Sequence, residues 1–478
     1  MQRSFGAVAV VAGVLALTFT ACGSSGSSGS GGAAPGGSKP TGGASLPACP
    51  LAALQTASKP VEITYWHAMT RANEDELKVL TAQFNAQQHD VKVSLSAAAS
   101  YPDNFTRFKA GLSTGALPDL LQSEDTTTQA MIDSHAILPA ASCLKADNAS
   151  TSDFVPRVVA YYSVGGVLYP MPFNDSNPIL YYNKAVFRKA GLDPDKPPVT
   201  FADVKADSQK IVQSRAAQFG LAFKVDSWPI EHWFAKSGAT MVNNANGRDA
   251  RATKVTFDDA TGLSIFQWLD DMVKGKLAVS TGTADIDHYL AVGNGRAAMT
   301  IDTSAALGTI AQLFASGQYR DVELGVGAMP GPNSTDGGVL VGGAANYIMS
   351  HSTPAKQAAA YEFAKFLSAP KTQSAWAAAT GYVPISRSAV ALAPLAQRYA
   401  QQPEYKIAYD QLVKGAENAA TAGPVVGAYG AKGEGLRGAL IDGLSRMFDG
   451  RATPQQALAG AATEANTAIA EYNSRVGS

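Results

Sequence analysis

The sequence predicts an α/β fold, and three observations carry that prediction. Strand-like and helix-like segments alternate from about residue 60 onward, which argues for a parallel sheet with crossover helices. A polar knot, Asn174-Asp175-Ser176-Asn177, sits between two extended apolar runs. The chain's 478 residues exceed what one ordinary core holds, so two folded units are expected.

In order, Val61-Glu62-Ile63-Thr64-Tyr65 alternates as a strand with one buried face. After Trp66-His67-Ala68-Met69, a helix is predicted from about Asn73 to Ala86, with Leu77, Leu80 and Phe84 on one stripe. Val91 to Leu95 alternates again. A helix through Phe105 to Ser113 and a strand at Asp119-Leu120-Leu121-Gln122 follow. Pro172 and Pro178 bracket the knot and bias the residues before them towards extended backbone, so the chain is read as leaving one unit there and entering a second. A solvated loop within one domain is the competing reading. Beyond the knot, Lys184 to Ala190 and Phe201 to Ser214 read as helices, the first stopped by Gly191. Gly220 to Gly247 reads as irregular and Leu263 to Val273 as an amphipathic helix. Ala297 to Ile301 reads as a strand returning to the first unit, followed by a second small polar knot, Asp302-Thr303-Ser304. Val339 to Met349 is strand-like around Gly342-Gly343, where a backbone can approach another group closely. Thr353-Pro354 and Thr453-Pro454 each mark a helix start.

The N-terminus carries Arg3 and an apolar run from Phe5 to Phe19, the pattern of a signal peptide. Thr20-Ala21-Cys22-Gly23 then resembles a bacterial lipoprotein cleavage box, with Cys22 as the lipidated residue and Phe19 a departure from the usual aliphatic. Residues 23 to 46 are almost all Gly, Ser, Ala and Pro and read as a tether. Export admits a disulfide between Cys49 and Cys143, as it admits two free thiols. Net charge is −1 with no basic run, so nucleic acid is not an expected partner.

Chemistry-bearing patterns are sparse. None of the six histidines has an i, i+4 partner, and no Cys-x-x-Cys pair exists. Asp285-Ile286-Asp287-His288 reads as a solvated helix start rather than a metal site. No nucleophile elbow, Walker loop or dinucleotide fingerprint is present. The chain is read as a non-enzyme without cofactor or metal. A secreted hydrolase remains a remote alternative, because paired carboxylates are recognised by distance.

Pro172 to Asn183, continued by Lys184-Ala185-Val186-Phe187-Arg188-Lys189-Ala190-Gly191-Leu192-Asp193-Pro194, resembles the solute-binding proteins of ABC importers. Trp66-His67-Ala68-Met69, Gln83-Phe84-Asn85-Ala86, Phe154-Val155-Pro156, Thr380-Gly381-Tyr382-Val383-Pro384-Ile385 and Thr453 to Leu458 extend the likeness over the body. Within that family it is most similar to the components that bind glycerol-3-phosphate and glycerophosphodiesters. The resemblance implies a two-lobed periplasmic-binding-protein fold of the type seen in maltose-binding protein, with the ligand cleft between lobes. Residues 58–174 plus 299–350 would form lobe 1 and residues 175–298 plus 351–478 lobe 2, after a signal peptide at 1–21 and a linker at 22–57.

Carried over residue by residue, the implied ligand contacts are Tyr101, Asp125, Ser176, Thr303, Gly343, Tyr382 and Arg437, with Arg437 on phosphate and Asp125 on glycerol hydroxyls. A tryptophan near the glycerol falls at Val225 or, with a short slip, at Trp228. Arginine suits a phosphate because its planar fork donates two parallel hydrogen bonds. Without the resemblance, Arg437 would read as a surface residue, Tyr101 and Tyr382 as core tyrosines, Asp125 as a helix cap and Gly343 as a packing glycine. The expected function is a monomeric, lipid-anchored binder at the outer membrane face, handing glycerol phosphate or a glycerophosphodiester such as glycerophosphocholine to a permease pair driven by a cytoplasmic ATPase. A neutral sugar or oligosaccharide is the alternative ligand.

Overall fold

The computed structural model describes residues 46–319, 321–333, 337–430 and 434–477. The signal peptide, Cys22 and the tether to residue 45 lie outside the described residues. From Leu46 onward the chain forms one compact unit built on two sheets, each with its own core.

The first sheet starts as the alternation predicts. Val61–His67 turns Val61, Ile63 and Tyr65 inward and pairs in parallel with Val91–Ala97 and Leu120–Glu124. Between them, Arg71–Gln87 buries Leu77, Leu80 and Phe84 on a single stripe, each contributing about 1.5–3 kcal/mol by burial. Tyr101–Thr114 is capped by the Ser100 hydroxyl, which accepts from the Asp103 N–H, and ends at Gly115 in the left-handed region. Gly342–Met349 pairs antiparallel with Leu120–Glu124, with Ile137–Leu138 and with Met171–Ser176.

The chain passes between the sheets within the knot, after Ser176 rather than after residue 174. Met171–Ser176 belongs to the first sheet and Pro178–Asn183 to the second, with Asn177 alone between them. Gln411 braces this point from the helix Ile407–Lys414 by donating to the Asn177 side chain and the Pro178 carbonyl, while Asn177 Nδ2 donates to the Ala408 carbonyl at 3.0 Å.

The second sheet runs Ala278–Ser280, Phe219–Phe223, Ala297–Thr303, Pro178–Asn183, Leu324–Ala328. Ala297–Thr303 therefore does not return to the first sheet. It pairs antiparallel with Pro178–Asn183 and parallel with Phe219–Phe223, because its apolar Ala297 to Ile301 run fits a fully buried central position. The return comes at Gly342–Met349 instead. Residues 351–478 also divide: Pro354–Ser368 and Pro370–Thr380 pack in the first core, whereas Gly435–Phe448 and Pro454–Val476 pack in the second. The stretch 220–247, read as irregular, holds the strand Phe219–Phe223 and the helix Trp228–Lys236. Its short elements and Gly/Asn content hide both from periodicity. Thr453 closes a capping box with Gln456, but Thr353 makes no side-chain cap.

Cys49 and Cys143 are joined by a disulfide that ties the start of the body to the helix Ala140–Ala146. Among the described residues no helix is long and apolar enough to cross a membrane.

Candidate ligand-binding site

The register of the first sheet gathers the site. Glu124, Ala344 and Asn174 lie abreast on three adjacent strands, Gly343 faces Asp175, and Gly342 faces Ser176. Asp125 follows directly on its strand, so Asp125, Ser176 and Gly343 meet where the strands end. Gly343 must be glycine here. Its φ is +95°, and a β-carbon would overlap the Asn174 carbonyl oxygen.

Two tyrosines converge on the same point. Tyr101, at the first turn of its helix, accepts from Asn174 Nδ2 at 2.8 Å, and its hydroxyl lies 3.3 Å from that of Tyr382. Tyr382 is delivered by the left-handed Gly381 and by Val383, whose N–H donates to the Asp175 carbonyl at 2.7 Å. Asn174 is itself fixed by Gln122 Nε2 at 2.8 Å. Sequence reasoning missed Asn174 as a partner, although it stands in the knot.

Thr303, Tyr101 and Tyr382 line a cavity of about 510 Å³ together with Met69, Lys224 and Asp302. Thr303 Oγ1 accepts from the Ala305 N–H at 3.1 Å, and the Thr303 carbonyl accepts from the Tyr181 hydroxyl at 2.6 Å. Lys224 Nζ lies 3.2 Å from Asp226 and 3.3 Å from Asp285. His288, which reads as part of a solvated helix start, is instead buried, with Nε2 2.6 Å from Asp302. Burial alone would raise the Asp302 pKa. The His288 hydrogen bond and charge, the Lys224 charge and the Thr303 N–H outweigh it and hold the group at about 2.

Arg437 is buried, not on the surface. Its Nε and Nη2 donate to the two oxygens of Glu231 at 2.9 and 3.0 Å, and its Nη1 donates to Glu124 at 2.7 Å. Asp125 lies 3.9 Å from Nη2 and accepts from the Tyr161 hydroxyl at 2.9 Å. Tyr429 places its ring 5.4 Å from the guanidinium carbon. Glu124 and Asp125 come from the first sheet, while Glu231 and Arg437 sit on helices of the second core, so this cluster bridges the two lobes. Burial pushes Asp125 up to about 8; Arg437 opposes the rise, and Glu124 and Glu231 add to it. Glu124 shifts upward for the same leading cause.

Trp228 packs against the Gly342 backbone beside the knot, and Val225 does not. Val225 is buried in the second core, whereas a β-carbon on Gly342 would lie 2.7 Å from Trp228 Cζ2. The Trp228 ring packs 4.7 Å from that of His232, whose Nδ1 accepts from the Leu340 N–H at 3.1 Å. Ser176 is buried beside this contact. Among the described residues no group of three or more His, Cys, Asp or Glu is arranged to hold a metal ion. Glu231 and Lys224 carried no sequence signal, since each acquires its partners only through folding.

The bacterial extracellular solute-binding protein pattern matches residues 80–406. The chain is 31% identical to the sn-glycerol-3-phosphate-binding periplasmic protein UgpB of Pectobacterium atrosepticum over 89% of its own length and 95% of that protein. It is 29% identical to the UgpB of Escherichia coli K12 over 90% and 97%. In fold it superimposes on UgpB from Mycobacterium tuberculosis, solved with glycerophosphocholine, with a TM-score of 0.71 at 19% identity over 86% of this chain and 98% of that one. The GacH receptor of Streptomyces glaucescens, solved unliganded and with acarbose, gives 0.70 at 20% identity over 86% and 99%. Two sheets joined at a narrow crossing, polar side chains gathered where they meet, and this degree of likeness place the chain in a family: it belongs to the bacterial extracellular solute-binding proteins, the binding components of ABC importers.

Proposed function

We propose that the chain binds glycerol-3-phosphate or a glycerophosphodiester such as glycerophosphocholine between its lobes and delivers it to the permease. One observation carries this reading: Tyr101, Asp125, Ser176, Gly343, Tyr382 and Trp228 gather around the knot, with the buried guanidinium of Arg437 joined to the same rim through Glu124. Relatives named for sn-glycerol-3-phosphate binding support it. In this reading the arginine meets phosphate, Asp125 accepts from glycerol hydroxyls, and the tyrosine hydroxyls and backbone N–H groups complete the shell. Closure is a population shift driven by contacts that both lobes make to the solute. An affinity near micromolar, about −8 kcal/mol, suits a protein that must also release its cargo.

The chain is further proposed to be held at the outer face of the cell membrane through lipid on Cys22. A Cys22→Ala protein should leave the membrane fraction for the soluble one.

A second reading, a neutral sugar or oligosaccharide, is favoured by the acidic surroundings of the arginine. Three carboxyl groups, those of Glu124, Asp125 and Glu231, surround the single guanidinium, and carboxyl groups are better partners for hydroxyls than neighbours for an anion. Calorimetric titration with glycerol-3-phosphate, glycerophosphocholine and maltose decides between them. Saturable binding of either phosphate ester without maltose supports the first reading, and binding of maltose alone establishes the second.

A further inference from the structure

Glu231 was in no expected contact set, yet it takes one whole edge of Arg437. A guanidinium offers planar oxyanions two edges, Nε with Nη2 and Nη1 with Nη2. The first is bonded by both oxygens of Glu231, at 2.9 and 3.0 Å. The second faces Glu124 at 2.7 Å and Asp125 at 3.9 Å. The Glu231 carboxylate is held where it is: its side chain is 1% exposed, the Ser227 hydroxyl donates to its Oε1 at 3.0 Å, and it sits in the first turn of Trp228–Lys236, where the helix end favours negative charge. The geometry of this pair is that of an arginine on a phosphate, with a carboxylate standing in for the ligand.

We propose that Glu231 is a specificity-determining residue, an internal competitor that any phosphate-bearing solute must displace from Arg437. This deepens the glycerol-phosphate reading and rests on it. A phosphodiester brings one negative charge to the fork beside the displaced Glu231 carboxylate. A phosphomonoester near −2 brings a second charge into the same buried pocket of acidic groups and is penalised more. Neutral polyols do not compete for the fork and are indifferent to Glu231. The device therefore selects diesters over monoesters at a site whose arginine alone would prefer the monoester.

The test titrates the wild-type protein, Glu231→Gln, Glu231→Asp and Glu124→Gln with glycerol-3-phosphate, glycerophosphocholine and maltose. Glu231→Gln should tighten glycerol-3-phosphate at least about tenfold. Glycerophosphocholine should gain less, and any maltose affinity should stay within about twofold. Glu124→Gln removes an equal charge but leaves the fork occupied, so its gain should be smaller. Equal gains in the two Gln variants, or no gain in Glu231→Gln, overturn the proposal. If Glu231→Gln lacks a cooperative melting transition, Glu231→Asp decides by the same comparison, because it keeps the charge but is one methylene too short to span the fork. The wild-type arm tests the ligand class separately. If wild type binds neither phosphate ester, that reading fails, while a gain in the Glu231 variants still supports the competitor and its absence still removes it.

Discussion

Two cations, Arg437 and Lys224, each face three carboxyl groups, and one aspartate beside each, Asp125 and Asp302, shifts in the opposite direction from the other. Around Arg437, Asp125 is driven up to about 8, first by burial and further by Glu124 and Glu231. Around Lys224, the half-buried Asp302 is held down at about 2. The difference lies in donors. Asp302 has the His288 ring nitrogen at 2.6 Å and the Thr303 N–H at 2.7 Å as well as the Lys224 charge. Asp125 has one tyrosine hydroxyl, and the guanidinium near it is already committed to Glu231 and Glu124. A buried carboxylate therefore follows its close donors rather than the formal count of charges around it. The Arg437 cluster is a paired network bridging the lobes, whereas Lys224 and Asp302 line a cavity with room for a solute.

Breaking the first region should cost most. Arg437→Met leaves Glu231, Glu124 and Asp125 facing one another without their cation, and stability should fall by about 3–5 kcal/mol in urea denaturation. A loss under about 1 kcal/mol would mean that the cluster does not depend on its guanidinium. Gly343→Ala sits between the regions. The left-handed backbone and the overlap with the Asn174 carbonyl should cost roughly 2–4 kcal/mol, read by the same denaturation.

The cavity region should respond in binding more than in stability. Tyr382→Phe and Tyr101→Phe each remove one hydroxyl from the pair beside Asn174. Solute affinity should fall about tenfold while stability changes by only about 1 kcal/mol. The reverse pattern, stable affinity and lost stability, would make them core tyrosines.

The smallest effect sharpens the contrast itself. Asp125 has a raised folded-state pKa, so its contribution is complete below the unfolded value of about 3.9 and is lost as pH rises towards 8. Asp302 has a lowered one, so its contribution is complete above about 3.9 and is lost as pH falls towards 2. Asp125→Asn should flatten the urea midpoint against pH between 5 and 8, and Asp302→Asn should flatten it below 4. Both variants flattening the same window would contradict the opposed assignment.

Much of the architecture was legible in the chain. The prolines around Asn174 to Asn177 marked the crossing because they restrict local backbone, and Leu77, Leu80 and Phe84 marked a helix because one stripe must be buried. Sheet membership was not legible for Ala297–Thr303, since a fully apolar strand carries no sign of which sheet pairs with it. Gly343 and Tyr382 fall at the knot, placed there by register and by a left-handed glycine. Arg437 was legible as a cation, but its commitment to Glu231 was not. That pairing joins residues 206 positions apart through packing of the second core, and no local pattern encodes it.

Hydrogen–deuterium exchange with and without glycerophosphocholine tests most directly whether a solute is held where the knot, the two tyrosines and the arginine meet. Added solute should protect amides at Asn174 to Ser176, Gly342 to Ala345 and the segments carrying Tyr101, Tyr382 and Trp228, and leave the outer helix Pro454–Val476 unchanged. Saturating solute that protects none of these, or that protects only surfaces remote from the crossing, would contradict the account.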